Sequence, residues 1–106
     1  MTSSSLSALI GQRVLAAEPI HDYVQIRFTR GDVLNVFSAL DLRDDGRPAT
    51  LDDLVGMSVE TAVEEPEFVR LTGGAVALRV DLTDVSFVGP EALHYIPAVG
   101  EQVVWN

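Results

Sequence analysis

The sequence contains two similar segments 45 residues apart, and this internal repeat limits the folds open to the chain. Residues 5–14 and 50–59 both read [S/T]-L-x-x-L-[I/V]-G-x-x-V without a gap. In each copy a hydroxyl residue can cap a helix, leucines three apart share a helical face, and the glycine can end the helix. Each copy is therefore predicted to begin with one helical turn.

Alternating apolar and polar residues follow the glycine in both copies. Such period-two runs predict strands with one buried face. Gly31 and the Gly73-Gly74 pair interrupt the runs and predict hairpin turns. Pro19 and Pro66 are expected to end the first strand of each copy, since proline cannot donate to a ladder. The predicted strands span residues 13–17, 23–29, 33–39, 58–63, 67–71 and 76–82.

The correspondence between the copies continues beyond the motif. Leu34 and Val36 match Leu78 and Val80 at an offset of 44, because one residue is lost in the preceding turn. Turns tolerate such length changes best. Each repeat is thus predicted to be a short helical turn plus a three-strand antiparallel meander.

One three-strand sheet is marginal alone, so the two repeats are expected to bury their apolar faces together. The predicted fold is mainly β, a single domain over residues 1–106, packed as a small sandwich or partly open barrel. Residues 5–39 and 50–82 form the repeat units, and the polar segment 40–49 is expected to be a loop that links them. In the tail, residues 83–106, a helical turn is expected at residues 91–93 and a last strand at residues 102–105.

Composition supports a folded core and bears on where in the cell the protein is expected. The hydrophobic fraction is 47% and there is no cysteine, which excludes disulfides and thiolate chemistry. The first ten residues do not resemble a signal peptide, and no apolar run is long enough to span a membrane. A cytoplasmic location is expected.

The charge is strongly negative. Sixteen acidic residues stand against seven arginines, with no lysine, which gives a net charge of −9. Nucleic acids and anionic membranes would be repelled, whereas a basic partner protein would be attracted. The alternative is that the charge serves only solubility.

Few residues suggest catalysis or metal binding. His21 and His94 are far apart, and Asp41, Asp44 and Asp45 do not have the spacing of a calcium loop. No cofactor or metal is expected, and an enzyme is not favoured. The residues predicted to bind a partner lie in the non-repeated acidic segments and the tail: Asp41, Asp44, Asp45, Glu64, Glu65, Glu67, Glu91, His94, Tyr95 and Trp105.

The repeat motif, the Gly89-Pro90-Glu91-Ala92-Leu93 segment and the Val103-Val104-Trp105 finish together resemble uncharacterised small bacterial proteins of one β-rich domain. In size and charge the chain is also similar to immunity proteins, which neutralise a toxin by binding it. That likeness implies a protein partner and assigns no residue.

Three hypotheses follow. The first is a protein-binding module, of which an immunity-type inhibitor of a basic partner is one form. The second is a self-assembling structural protein, since edge strands of two sheets can pair with another copy. The third is a small-ligand binder or enzyme with a cleft between the repeats, for which Glu91, His94 and Tyr95 are the first candidates.

Overall fold

The computed structural model of the chain describes residues 5–83 and 92–105. Its helical elements are a 3₁₀ helix at Ser5–Leu9 and a one-turn α-helix, α1, at Leu51–Leu54. The strands are β1 (Val14–Ile20), β2 (Tyr23–Phe28), β3 (Val33–Val36), β4 (Leu40–Asp44), β5 (Arg47–Pro48), β6 (Thr61–Glu64), β7 (Phe68–Gly73), β8 (Val76–Asp81), β9 (Leu93–Ile96) and β10 (Val103–Trp105).

The strands form two five-stranded antiparallel sheets, which confirms the predicted mainly β class. The first sheet has the order β1-β2-β3-β9-β10 and the second has the order β5-β4-β8-β7-β6. Neither sheet closes into a barrel. The predicted meanders are present as β1-β2-β3 and β6-β7-β8, with strand ends that differ from the predicted ones by up to three residues.

The segment predicted to be a linking loop forms strands instead. Residues 40–48 contain β4 and β5, and β4 pairs with β8 of the other repeat. Leu40 and Leu42 are partly buried and pack against the core, while the charged residues between and after them are exposed. This alternation is a strand pattern, and the high charge of the segment obscured it.

The tail forms the corresponding strands of the first sheet. β9 pairs with β3. β10, which confirms the last strand predicted from the sequence, pairs with β9. The helical turn expected at residues 91–93 does not include Leu93, which begins β9, so that prediction is wrong at this residue. Glu91 lies outside the described residues. Each meander therefore gains two strands from the chain segment that follows the other meander.

Proline does not end β1 as predicted. β1 continues through Pro19, which lies opposite Val24, to Ile20. Because β1 is the edge strand of its sheet, the missing N–H of Pro19 can face outward without loss of a ladder hydrogen bond.

The two helical turns meet at a reciprocal junction. The Gly11 amide donates to the Val59 carbonyl at 2.8 Å, and the Gly56 amide donates to the Val14 carbonyl at 2.9 Å. Each bond joins the glycine of one copy of the sequence motif to the valine that ends the other copy. Both glycines adopt positive φ, 91° and 95°, a conformation that side-chain-bearing residues rarely adopt.

One hydrophobic core lies between the sheets. Eighteen buried hydrophobic residues of the described ranges form a single cluster that takes side chains from both sheets and from the two helical turns. Leu6, Leu9 and Leu54 of those turns are essentially fully buried. Trp105 is half-buried and packs against the same cluster.

Candidate functional site

A buried polar cluster joins three separate parts of the first sheet. Gln12 follows the N-terminal 3₁₀ helix, Asp32 lies in the β2–β3 turn, and Tyr95 lies on β9. The side of β9 that carries Tyr95 faces the core, because Tyr95 is paired with the fully buried Leu34. Gln12 and Asp32 are only 1% and 5% exposed, so their polar groups depend on partners within the protein.

The Asp32 carboxylate receives three hydrogen bonds. The Tyr95 hydroxyl donates to Oδ2 at 2.5 Å, Gln12 Nε2 donates to the same oxygen at 3.0 Å, and the Ala98 amide donates to Oδ1 at 2.9 Å. Gln12 is itself saturated, since Nε2 also donates to the Ala8 carbonyl and Oε1 accepts from the Arg30 amide. The cluster thereby ties the N-terminal turn, a hairpin and the segment after β9 together.

These contacts set the ionisation of the cluster. Burial alone would raise the pKa of Asp32, but the hydrogen bonds from Tyr95, Ala98 and Gln12, together with the charge of Arg30, lower it below its ordinary value. The pKa of Tyr95 is raised by burial and by the adjacent Asp32 carboxylate. At neutral pH the cluster therefore contains an aspartate anion and a neutral tyrosine.

A cleft of about 350 Å³ opens beside this cluster. Its lining includes the exposed Arg30 and the apolar side chains of Pro97, Ala98 and Val99. Val99 is 92% exposed. The cleft thus offers one cation and an apolar wall, with the carboxylate of Asp32 already engaged by donors.

The other half of the protein has apolar residues at two of these positions. Met57 occupies the place of Gln12 in the repeat motif. Leu42 of β4 pairs with Leu78 in the same way that Tyr95 pairs with the corresponding Leu34. The second sheet forms without these polar groups, so the cluster is specific to the first half of the protein.

The structure divides the predicted residues of the tail between two faces. Tyr95 lies in the buried cluster and lines the cleft. His94 belongs to the other face of the first sheet, where its Nε2 lies 2.9 Å from Gln102 Oε1. Trp105 is opposite Leu93 at the end of β10.

The predicted acidic residues lie at different ends of the second sheet. Asp44 and Asp45 are at the β4–β5 turn, beside the start of β8, and Asp41 is further along β4, where it accepts from Arg43 Nε at 3.2 Å. The other three, Glu64, Glu65 and Glu67, are at the β6–β7 turn, at the opposite end of the sheet. The Glu64 carboxylate accepts from the Leu6 amide at 3.2 Å, and Glu65 and Glu67 are exposed. The six carboxylates do not form one surface.

Sequence reasoning missed Gln12 and Asp32. In the sequence, Asp32 lies in a predicted turn and Gln12 occupies a variable position of the repeat motif. The contrast between Gln12 and Met57 was visible in the aligned repeats, and a buried polar residue opposite an apolar one could have drawn attention to it. The correspondence between Tyr95 and Leu42 is not visible in the sequence, because they lie on β9 and β4, two strands that the local pattern does not predict.

No group of three or more metal-ligating side chains occurs among residues 5–83 and 92–105. Over the same ranges, no helix is long and apolar enough to cross a membrane. Comparison of the chain with protein-family models, with curated proteins and with solved structures gives no match.

Proposed function

We propose that the chain is a small acidic protein-binding module that binds a basic partner protein, as an immunity-type inhibitor would. The net charge of −9 supports this proposal at long range, because it would speed the approach of a cationic partner. At short range it is supported by exposed acidic residues on two chain segments that meet at the turn between β7 and β8.

The observation that carries the proposal is this set, the acidic end, defined as Asp44, Asp45 and Glu60. The Asp45 amide donates to the Ala75 carbonyl at 2.9 Å, and Glu60 Oε1 accepts from the Gly74 amide at 2.8 Å. Two separate chain segments are thus anchored to one turn. All three acidic residues are exposed.

The charges of the acidic end are available to a partner. None of Asp44, Asp45 and Glu60 has an arginine nitrogen within 4 Å in the described part of the chain, where the ion pairs are Arg27–Glu18 and Arg43–Asp41. Exposed ion pairs with a partner are individually weak, so their main effects are on the association rate and on its salt dependence.

The test is affinity capture of the partner from lysate of the source cells by the purified chain, at about 0.05 M and about 0.5 M salt, between which the screening length falls severalfold. The variant Asp44→Asn/Asp45→Asn/Glu60→Gln removes three charges at the acidic end. The control Asp22→Asn/Asp52→Asn/Glu101→Gln removes three charges elsewhere on the surface, at exposed residues that are not predicted to bind the partner.

We expect a basic protein to bind the wild type and the control at low salt and to be lost from the first variant. Binding would also weaken at high salt. Equal capture by both variants would place the contact elsewhere, and a partner whose binding ignores salt would contradict the electrostatic proposal.

Binding of a small ligand is a second candidate, favoured by the cleft beside Tyr95. Its single exposed cation, Arg30, and its apolar wall suit a small organic anion. A thermal-shift screen of organic anions against wild type and Arg30→Gln tests this: a hit must stabilise the wild type and fail with the variant.

Three of the four edge strands give little support to self-assembly, and the fourth, β10, contains no proline. β1 and β5 contain Pro19 and Pro48, and Pro66 follows β6 closely, all features that oppose pairing with another copy. Light scattering over a range of concentrations decides the question, because a strict monomer removes this alternative.

A further inference from the structure

Two arginines stand directly opposite each other on the outer face of the second sheet. Arg70 of β7 is paired in register with Arg79 of β8. Both are exposed, while their neighbours along each strand are buried, so both side chains belong to the face turned away from the core. Like charges at directly opposed positions of a sheet are destabilising, and the pair therefore needs an explanation.

An aromatic ring holds the two guanidinium groups on the same patch. Arg79 Cζ lies 4.5 Å from the centroid of the Phe68 ring, and Arg70 Cζ lies 6.0 Å from it. Such cation–π contacts orient a guanidinium and leave its edge donors free for another acceptor. We refer to Phe68, Arg70 and Arg79 as the arginine face.

No carboxylate of the described residues forms an ion pair with this face, although Asp41 and Asp81 lie beside Arg79. Asp41 is opposite Arg79 in the sheet, yet its carboxylate accepts from Arg43 Nε at 3.2 Å. Asp81, opposite Phe68, accepts at Oδ1 from the amide and hydroxyl of Thr83. Neither Arg70 nor Arg79 has a carboxylate oxygen within 4 Å in the described ranges, although the chain contains sixteen acidic residues.

We propose that the arginine face is a second docking surface, which binds an acidic segment of a partner protein. Carboxylates match the planar fork of each guanidinium and would remove the repulsion between the two arginines. This surface has the opposite sign from the acidic end and goes beyond the proposed function.

A protein segment is favoured over a polynucleotide by the size of the patch. The molecule is about 30 Å across and carries a net charge of −9. A long polyanion would extend from the arginine face onto acidic surface within a few screening lengths, each about 8 Å at physiological salt. A short acidic segment can contact the arginines alone.

Fluorescence anisotropy with a labelled hexaglutamate peptide tests the proposal, with hexaglutamine as the neutral probe and a single-stranded oligonucleotide as the polyanionic one. The variant Arg70→Gln/Arg79→Gln removes the two cations of the face. Its control, Arg13→Gln/Arg27→Gln, changes the net charge equally and alters two exposed arginines outside the face.

We expect hexaglutamate to bind the wild type, the double variant to bind it about fivefold or more weakly, and the control to stay within about twofold of wild type. The double variant should unfold at the same or a higher temperature than the wild type, because a like-charge pair is removed. Loss of binding then cannot be attributed to loss of folding.

Several results would overturn the proposal. They are no binding of hexaglutamate by the wild type at about millimolar concentration, equal binding of hexaglutamine, equal losses in both arginine variants, or tighter binding of the oligonucleotide than of the peptide. Because none of these variants alters Asp44, Asp45 or Glu60, the outcome is independent of the test of the acidic end.

Discussion

Replacement of Tyr95 by phenylalanine removes one hydrogen bond from the buried cluster and leaves the aromatic ring in the core. The lost bond is the 2.5 Å contact from the hydroxyl to Asp32 Oδ2. A hydrogen bond to a charged group contributes about 1.5–3 kcal/mol. Asp32 keeps its donors from Gln12 and Ala98, so the carboxylate is not left without partners and the upper part of that range is not expected.

We therefore expect Tyr95→Phe to lower the free energy of unfolding by about 2 kcal/mol at neutral pH. In a chain of this size that corresponds to a fall in Tm of about 8–16 °C. Tyr23→Phe is the matched control, because Tyr23 contacts Phe37 through its ring, with centroids 4.9 Å apart, and its hydroxyl has no hydrogen bond within the described ranges. Its cost should be close to zero.

The stability lost in Tyr95→Phe depends on pH, because Asp32 must be ionised to accept a charged hydrogen bond from the Tyr95 hydroxyl. The pKa of Asp32 is lowered in the folded protein, so its contribution is complete above the ordinary value of about 4 and is lost as the pH falls through the folded pKa. With Asp32 protonated, the Tyr95 hydroxyl meets a neutral group, and the penalty should shrink by about half.

Urea unfolding followed by far-ultraviolet circular dichroism measures the cost of Tyr95→Phe at neutral pH and its change over a series of decreasing pH values. The cycle of Tyr95→Phe, Asp32→Asn and the double variant isolates the coupling between the two side chains. A cost below about 0.5 kcal/mol at neutral pH, or a penalty that does not change with pH, would refute this account of the cluster.

Three further predictions concern the stability of single-residue variants. Gly73→Ala should lower stability by about 1–3 kcal/mol or more, because a Cβ there would lie 1.9 Å from the Ser58 carbonyl oxygen; unchanged urea unfolding would contradict this close packing. Gly11→Ala and Gly56→Ala should each cost about 1–2 kcal/mol through positive φ alone, since neither site has an atom within 4 Å of the added carbon, and very unequal costs would contradict the equivalence of the two turns. Above about pH 10 the wild type should lose stability faster than Tyr95→Phe, because the raised pKa of Tyr95 makes the folded state hold a proton that the unfolded chain releases; parallel pH curves would contradict this.

Much of the secondary structure could be predicted because it depends on local pattern. The alternation in residues 23–28 and 76–81 is strong, and both runs form strands with one buried face. The turns at Gly11 and Gly56 could also be anticipated, since a glycine after a short helical run is a recognised helix end.

The candidate site was harder to predict because its members are distant in the chain. Asp32 and Tyr95 are 63 residues apart, and no local pattern relates them. The arginine face has the same origin, since Arg70 and Arg79 become neighbours only through the register of β7 and β8. Charge composition could not reveal either feature, because it averages over surfaces of opposite sign.

The sequence by itself determined the strands of the two meanders, the last strand, the helical turns, the repeated motif and the negative charge, because each depends on residues close together or on composition. Only the tertiary structure decided that residues 40–48 and 93–96 are strands and that the segment after each meander completes the sheet of the other half. The physical reason is that a short, half-polar strand is stabilised by its partner strand and by the core beneath it, not by its own propensity. For Leu42 and Tyr95, whose partners are Leu78 and Leu34, that partner lies 36 and 61 residues away in the chain.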